Sequence, residues 1–96
     1  VAKILLSDAF FKKGEVDVVS TLIERGADLN IQGYDGYTAL TFAALNGYPV
    51  QLVVNLLNNG ADPDLKTNHG DTPLILAAIR GHTRIVDNLI KGKEHQ

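Results

Sequence analysis

Ninety-six residues, 45% of them hydrophobic and 21% charged, give a chain that folds as one unit and has no room for a second domain of the usual ~100–200 residues. A formal net charge of −2, from nine basic and eleven acidic side chains, creates no field that would gather phosphate backbones or anionic lipid, so neither nucleic acid nor a membrane is expected as a partner. The longest apolar run, Leu74 to Ile79, is six residues against the ~18 of a membrane span, and without cysteine there is no disulfide framework, thiolate metal site or cysteine nucleophile.

A chain of this size without such staples draws its stability from packing, which points to a reducing, intracellular and cytoplasmic setting. It opens at Val1 and contains no methionine, as expected of a chain processed or excised from something longer.

In chain order, the first element is an apolar stretch around Leu6 that leads to Gly14 and reads as an irregular helix. Leu6 precedes its glycine by eight positions, whereas Leu40 and Leu74 precede Gly47 and Gly81 by seven. Val18-Val19 and Leu22-Ile23 then share one face of a second helix, and Gly26 stops it by taking a positive φ without Cβ strain.

The turn formers from Asn30 to Asp35-Gly36 predict a projecting hairpin loop. Thr38 is positioned to cap the next helix, which runs towards Gly47. Gly47 lies five residues before Leu52, but Gly14 to Val18 and Gly81 to Ile85 are four each, so one residue is inserted in Tyr48-Pro49-Val50-Gln51 and Pro49 starts the following helix.

That helix carries Leu52-Val53 and Leu56-Leu57 on one face and stops at Gly60. A second hairpin loop follows over Asp64 to Gly70, and then Thr72 as N-cap with Pro73 at the first helical position, where its missing N–H is harmless. The last helix presents Ile85-Val86 and Leu89-Ile90 and is expected to end early at Gly92, with the polar tail Lys91 to Gln96 serving as a cap on the outer surface.

These elements repeat. Gly26-Ala27-Asp28 recurs as Gly60-Ala61-Asp62, and Gly36-Tyr37-Thr38-Ala39-Leu40 as Gly70-Asp71-Thr72-Pro73-Leu74, both after 34 residues. With the segments Thr72-Pro73-Leu74-Ile75-Leu76-Ala77-Ala78 and Gly81-His82, this spacing resembles the ankyrin-repeat family. The resemblance covers nearly the whole chain as one domain of three units, approximately 1–32, 33–66 and 67–96. It implies an all-α, ankyrin-type helix-turn-helix repeat solenoid with β-hairpin loops. The family usually has histidine after Thr-Pro-Leu; Thr41 and Ile75 stand there instead, which implies a lost hydrogen bond to a neighbouring loop and looser hairpins.

The resemblance further implies a protein–protein interaction module, acting as a monomer, that binds another protein through its hairpin tips and the concave face of its first helices. Matched to the family pattern, the tips are Tyr34, Asp35 and Tyr37, then Asn68, His69 and Asp71. The first-helix ends are Leu45-Asn46 and Ile79-Arg80, with Lys12-Lys13 in the first unit, and Arg25 and Asn59 complete the row. Tyrosine and arginine combine contact area with a hydrogen-bonding end, which makes Tyr34, Tyr37 and Arg80 the anchors. The competing reading is that both tyrosines pack on the hairpin they flank.

A structural spacer, a fragment of a longer repeat protein and an inhibitor that occludes an enzyme are the alternative roles. No nucleophile with a base and orienter, phosphate loop or paired carboxylates in an apolar setting is visible, so no enzyme activity is expected. Asp28 and Asp62 occupy equivalent loop positions explained by turn chemistry. His69, His82 and His95 have no metal-ligand spacing, so neither metal nor cofactor is expected, and His82 is assigned to backbone groups in its own turn.

Overall fold

A computed structural model describes residues 16–94. The irregular first helix, Gly14, Lys12-Lys13 and His95 lie outside the described residues. Within them the elements are α1 (Val16–Glu24), a single 3-10 turn (Tyr34–Gly36), α2 (Ala39–Asn46), α3 (Val50–Asn58), α4 (Pro73–Ile79) and α5 (Thr83–Glu94).

The helix boundaries follow local chemistry. Gly26 and Gly60 end α1 and α3 with φ of 79° and 98°, a region open to glycine and strained for other residues. At α4 the Thr72 hydroxyl accepts from the Ile75 amide at 3.3 Å, with Pro73 beside it at the helix start. Pro49 occupies the N-cap position of α3, as its fixed φ suits.

At α2 the cap is reciprocal. Thr38 Oγ1 accepts from the Thr41 amide at 3.3 Å, while Thr41 Oγ1 accepts from the Thr38 amide at 2.6 Å and donates to the Thr38 carbonyl at 2.8 Å. Thr41 thus directs its hydroxyl into the cap of its own helix, fully buried.

The end of α5 differs from expectation. The helix runs through Gly92 to Glu94, with Asp87 and Lys91 paired at 3.1 Å one turn apart and the Asn88 amide donating to the Arg84 carbonyl. An interior glycine disfavours helix by about 1 kcal/mol, which the packing of α5 against α3 and α4 outweighs.

The helices form two layers. In one, α2 lies against α4; in the other, α1 packs on α3 and α3 on α5. Six consecutive residues of α2, Ala39 to Ala44, are buried, whereas α3 buries only the stripe Leu52, Val53 and Leu56. The core is the continuous seam between layers, built on Leu40, Ala43, Ala44, Val53, Leu56, Ala77 and Leu89.

The projecting loops are tight turns. Gly33 donates to the Tyr37 carbonyl at 2.8 Å and Thr67 to the Asp71 carbonyl at 2.9 Å, and no strand extends from either loop among the described residues. Asp28 and Asp62 each accept from the amide two residues on, at 2.9 and 2.8 Å, as turn chemistry requires.

Candidate interaction surface

The two hairpin tips interlock. The Asn68 amide donates to the Asp35 carbonyl at 2.8 Å, and His69 Nε2 lies 3.0 Å from Asp35 Oδ2. Asp35 is held in the left-handed region at φ 57°, and the buried Gly36 beside it sits so close that a Cβ there would fall 2.7 Å from Asn68 Oδ1 and 2.8 Å from its backbone nitrogen. Three predicted site residues, Asp35, Asn68 and His69, are therefore brought into one cluster, and Tyr34 projects beside it with 76% of its surface exposed.

Tyr37 is placed differently. Its ring lies 4.6 Å from that of Phe42 at 41°, and it is half-buried. Burial, with Asp35 and Asp71 nearby, pushes its phenol above the usual tyrosine range against a smaller opposing effect of Arg80. Tyr37, Asp71 and Arg80 thus share one electrostatic neighbourhood.

Of the helix-end candidates, Arg80 reaches the neighbourhood of Tyr37 and Asp71, whereas Asn46 lies away from the tip. Tyr37 and Asn46 stand at opposite ends of α2, which at 1.5 Å per residue is roughly 12 Å long. Ile79 is 71% exposed, Arg80 and Asn46 are exposed, and Leu45 is half-buried. The Asn46 amide is turned back onto the Phe42 carbonyl at 3.0 Å. Asn59 donates to the Asn55 carbonyl and lines a cleft between α1 and α3, on the outer-helix side.

His82 reaches beyond its own turn. Its Nε2 lies 3.2 Å from the Leu45 carbonyl, 37 residues earlier, and its ring covers Gly47, where a Cβ would be 2.6 Å away. The histidine satisfies backbone as expected, but in the preceding helix pair.

Three residues that hold the loops in register, Asn30, Gln32 and Thr67, were not singled out from the sequence. Asn30 donates to the Gly60 carbonyl at 3.0 Å and accepts from the Asp62 amide at 2.7 Å, and Gln32 donates to the Lys66 carbonyl at 2.6 Å. Within the second tip the buried Thr67 hydroxyl accepts from the His69 and Asp71 amides at 3.2 and 3.3 Å, and Asp62 also turns its own loop. Their equivalents 34 residues away are Asp64, Lys66 and Gly33, so the repeat pattern carried no matching signal.

Among the described residues no three His, Cys, Asp or Glu side chains are close enough to hold a metal, and no helix is long and apolar enough to cross a membrane. A stretch of 36 residues is 47% identical to a protein named "Probable E3 ubiquitin-protein ligase XBOS33" from Oryza sativa subsp. japonica, covering 38% of this chain and 7% of that protein. The chain therefore spans a small fraction of that relative. A family model described as ankyrin repeats, in three copies, matches residues 4–96. Stacked helix pairs, glycine-stopped helices and interlocked loops 34 residues apart agree with that match over nearly the full sequence, and the chain belongs to the ankyrin-repeat family.

Proposed function

We propose that this chain binds another protein through its hairpin tips and the exposed ends of α2 and α4. Tyr34, Ile79 and Arg80 are the leading contacts, and Asp35, Tyr37, Leu45, Asn46, Asn68, His69 and Asp71 form their surroundings. Ankyrin repeats are in general protein-interaction modules, which supports the class of role. The observation that carries the surface is Tyr34: a large aromatic ring three-quarters exposed on a tip held by the Asn68 amide at the Asp35 carbonyl and by the His69 ring at the Asp35 carboxylate. A rigid support lowers the entropy lost on binding, and tyrosine adds contact area with a polar end.

On this reading the chain is a single non-catalytic domain of three units, about 1–32, 33–66 and 67–96, acting as a monomer in an intracellular, cytoplasmic setting. The cysteine-free composition and small net charge support that setting and a protein partner.

Affinity capture with the folded wild-type chain beside Tyr34→Ala tests the proposal. A protein retained by the wild type and bound at least about tenfold more weakly by the variant, a hot-spot loss of roughly 1.4 kcal/mol, is the expected outcome. Equal retention by both sinks the tip assignment, and retention by neither favours a spacer role.

A further inference from the structure

Two Asn-Gly pairs occur in the chain, Asn46-Gly47 and Asn59-Gly60, each at the end of a helix. In such a pair the glycine amide nitrogen can attack the asparagine Cγ, because glycine has no Cβ to obstruct the approach and its backbone rotates freely. The two pairs are alike in this chemistry. In both, the asparagine side chain is turned back onto the carbonyl four residues earlier, Asn46 onto Phe42 at 3.0 Å and Asn59 onto Asn55 at 2.8 Å. What differs is how firmly the following peptide is held.

The Gly47 amide donates to the carbonyl of the fully buried Ala43, to which the Tyr48 amide also donates at 3.1 Å. The His82 ring, from the next helix pair, spans this segment, bonded to the Leu45 carbonyl and lying against Gly47. Freeing the peptide between Asn46 and Gly47 therefore means parting two helix pairs. At Gly60 the amide donates to the Leu57 carbonyl at a long 3.3 Å, and a Cβ built there would meet nothing within 4 Å. The chain beyond is held, since the Gly60 carbonyl accepts from Asn30 at 3.0 Å and the Ala61 amide donates to the Leu56 carbonyl at 2.9 Å. The peptide plane between Asn59 and Gly60 can thus turn over alone, moving ψ of Asn59 from 16° and φ of Gly60 from 98° in opposite senses, and glycine accepts the negative φ that results. Such an opening, confined to a helix end, has a much smaller free energy than separation of packed pairs.

We propose that Asn59 is a deamidation site of the folded chain, while Asn46 is protected by the helix pair packed on it. The Gly60 nitrogen bonds to Asn59 Cγ, the bond from Cγ to the side-chain nitrogen breaks, and that nitrogen leaves as ammonia with the proton of the Gly60 amide. One water then opens the cyclic imide, at Cγ to leave aspartate or at the backbone carbonyl to leave isoaspartate. Either product puts a carboxylate at the C-terminal end of α3, where the helix dipole is negative, and removes the donor to the Asn55 carbonyl. The new charge also shares the cleft between α1 and α3 with Glu24. The modification thus weakens the hold of α3 on α1, and it is independent of the tip surface.

The test incubates the folded wild-type chain at mildly alkaline pH and follows both asparagines by peptide mass spectrometry, with isoaspartate detected by enzymatic carboxyl methylation. The same chain unfolded in urea, where no packing protects either pair, supplies a reference rate for each position. Position 59 is expected to keep at least about tenfold more of its reference rate than position 46. Equal fractions, faster loss at Asn46, or no reaction at Asn59 in the folded chain overturns the proposal. The consequence is read separately from thermal unfolding: Asn59→Asp is expected to lower the midpoint by a few degrees relative to wild type and to Asn59→Gln, which keeps the side chain neutral. A midpoint of Asn59→Asp equal to both would overturn the weakening of α3 on α1.

Discussion

At Tyr37 the ring rests on Phe42 while the phenol remains within reach of Asp35, Asp71 and Arg80, so the side chain belongs partly to the core and partly to the surface. Removing it by Tyr37→Ala is expected to lower stability by about 1–2 kcal/mol, combining the aromatic contact with lost apolar burial. Tyr34→Ala, at a position three-quarters exposed, should change stability by less than about 0.5 kcal/mol. Urea denaturation of the two variants separates these outcomes, and only Tyr34→Ala is a clean probe of binding.

The same burial predicts a pH dependence. Burial is the largest cause raising the phenols of both Tyr37 and Tyr48, so folding favours their neutral forms. Their contribution is fully present below the unfolded tyrosine pKa of about 10 and is lost as pH rises through the higher folded value. Stability measured from pH 8 upwards should begin to fall above about pH 10, and less steeply in Tyr37→Phe, which keeps the ring on Phe42.

At the scale of the element, α5 shows how packing overrides punctuation. Gly92 resembles a stop in the sequence, yet it lies inside the helix, and a Cβ there would meet only Leu57 Cδ1, at an ordinary 3.5 Å. Gly92→Ala is therefore expected to stabilise the chain by about 0.5–1 kcal/mol through helix propensity and a more restricted unfolded state. A lower thermal midpoint would show that the backbone at Gly92 needs glycine. At α2, by contrast, the cap is local: Thr38 and Thr41 satisfy each other without help from another unit.

For the whole molecule, the two layers share one seam, so a charge placed in it affects every helix pair at once. Leu56 and Leu89 are buried in that seam. Leu56→Asp or Leu89→Asp leaves an unpaired carboxylate in an apolar site, at several kcal/mol, against a total stability of about 5–15 kcal/mol. Loss of the helical circular dichroism signal at 25 °C is expected of both variants, and a folded variant would show that the seam is misassigned.

The sequence by itself determined the repeat, the helix pairs, the caps at Thr38 and Thr72, the start at Pro49 and the stops at Gly26 and Gly60. Each of these depends on backbone chemistry within a few residues, and the 34-residue period repeats most of them. Only the tertiary structure decided that Tyr37 packs while Tyr34 projects, that His82 serves the preceding pair, and that Ile75 is exposed while Thr41 is buried. The partners of His82 and the cover over Thr41 come from elements one repeat away, and whether Tyr34 or Tyr37 turns onto Phe42 depends on how the loop is folded against the helix. A short sequence window holds no information about such neighbours.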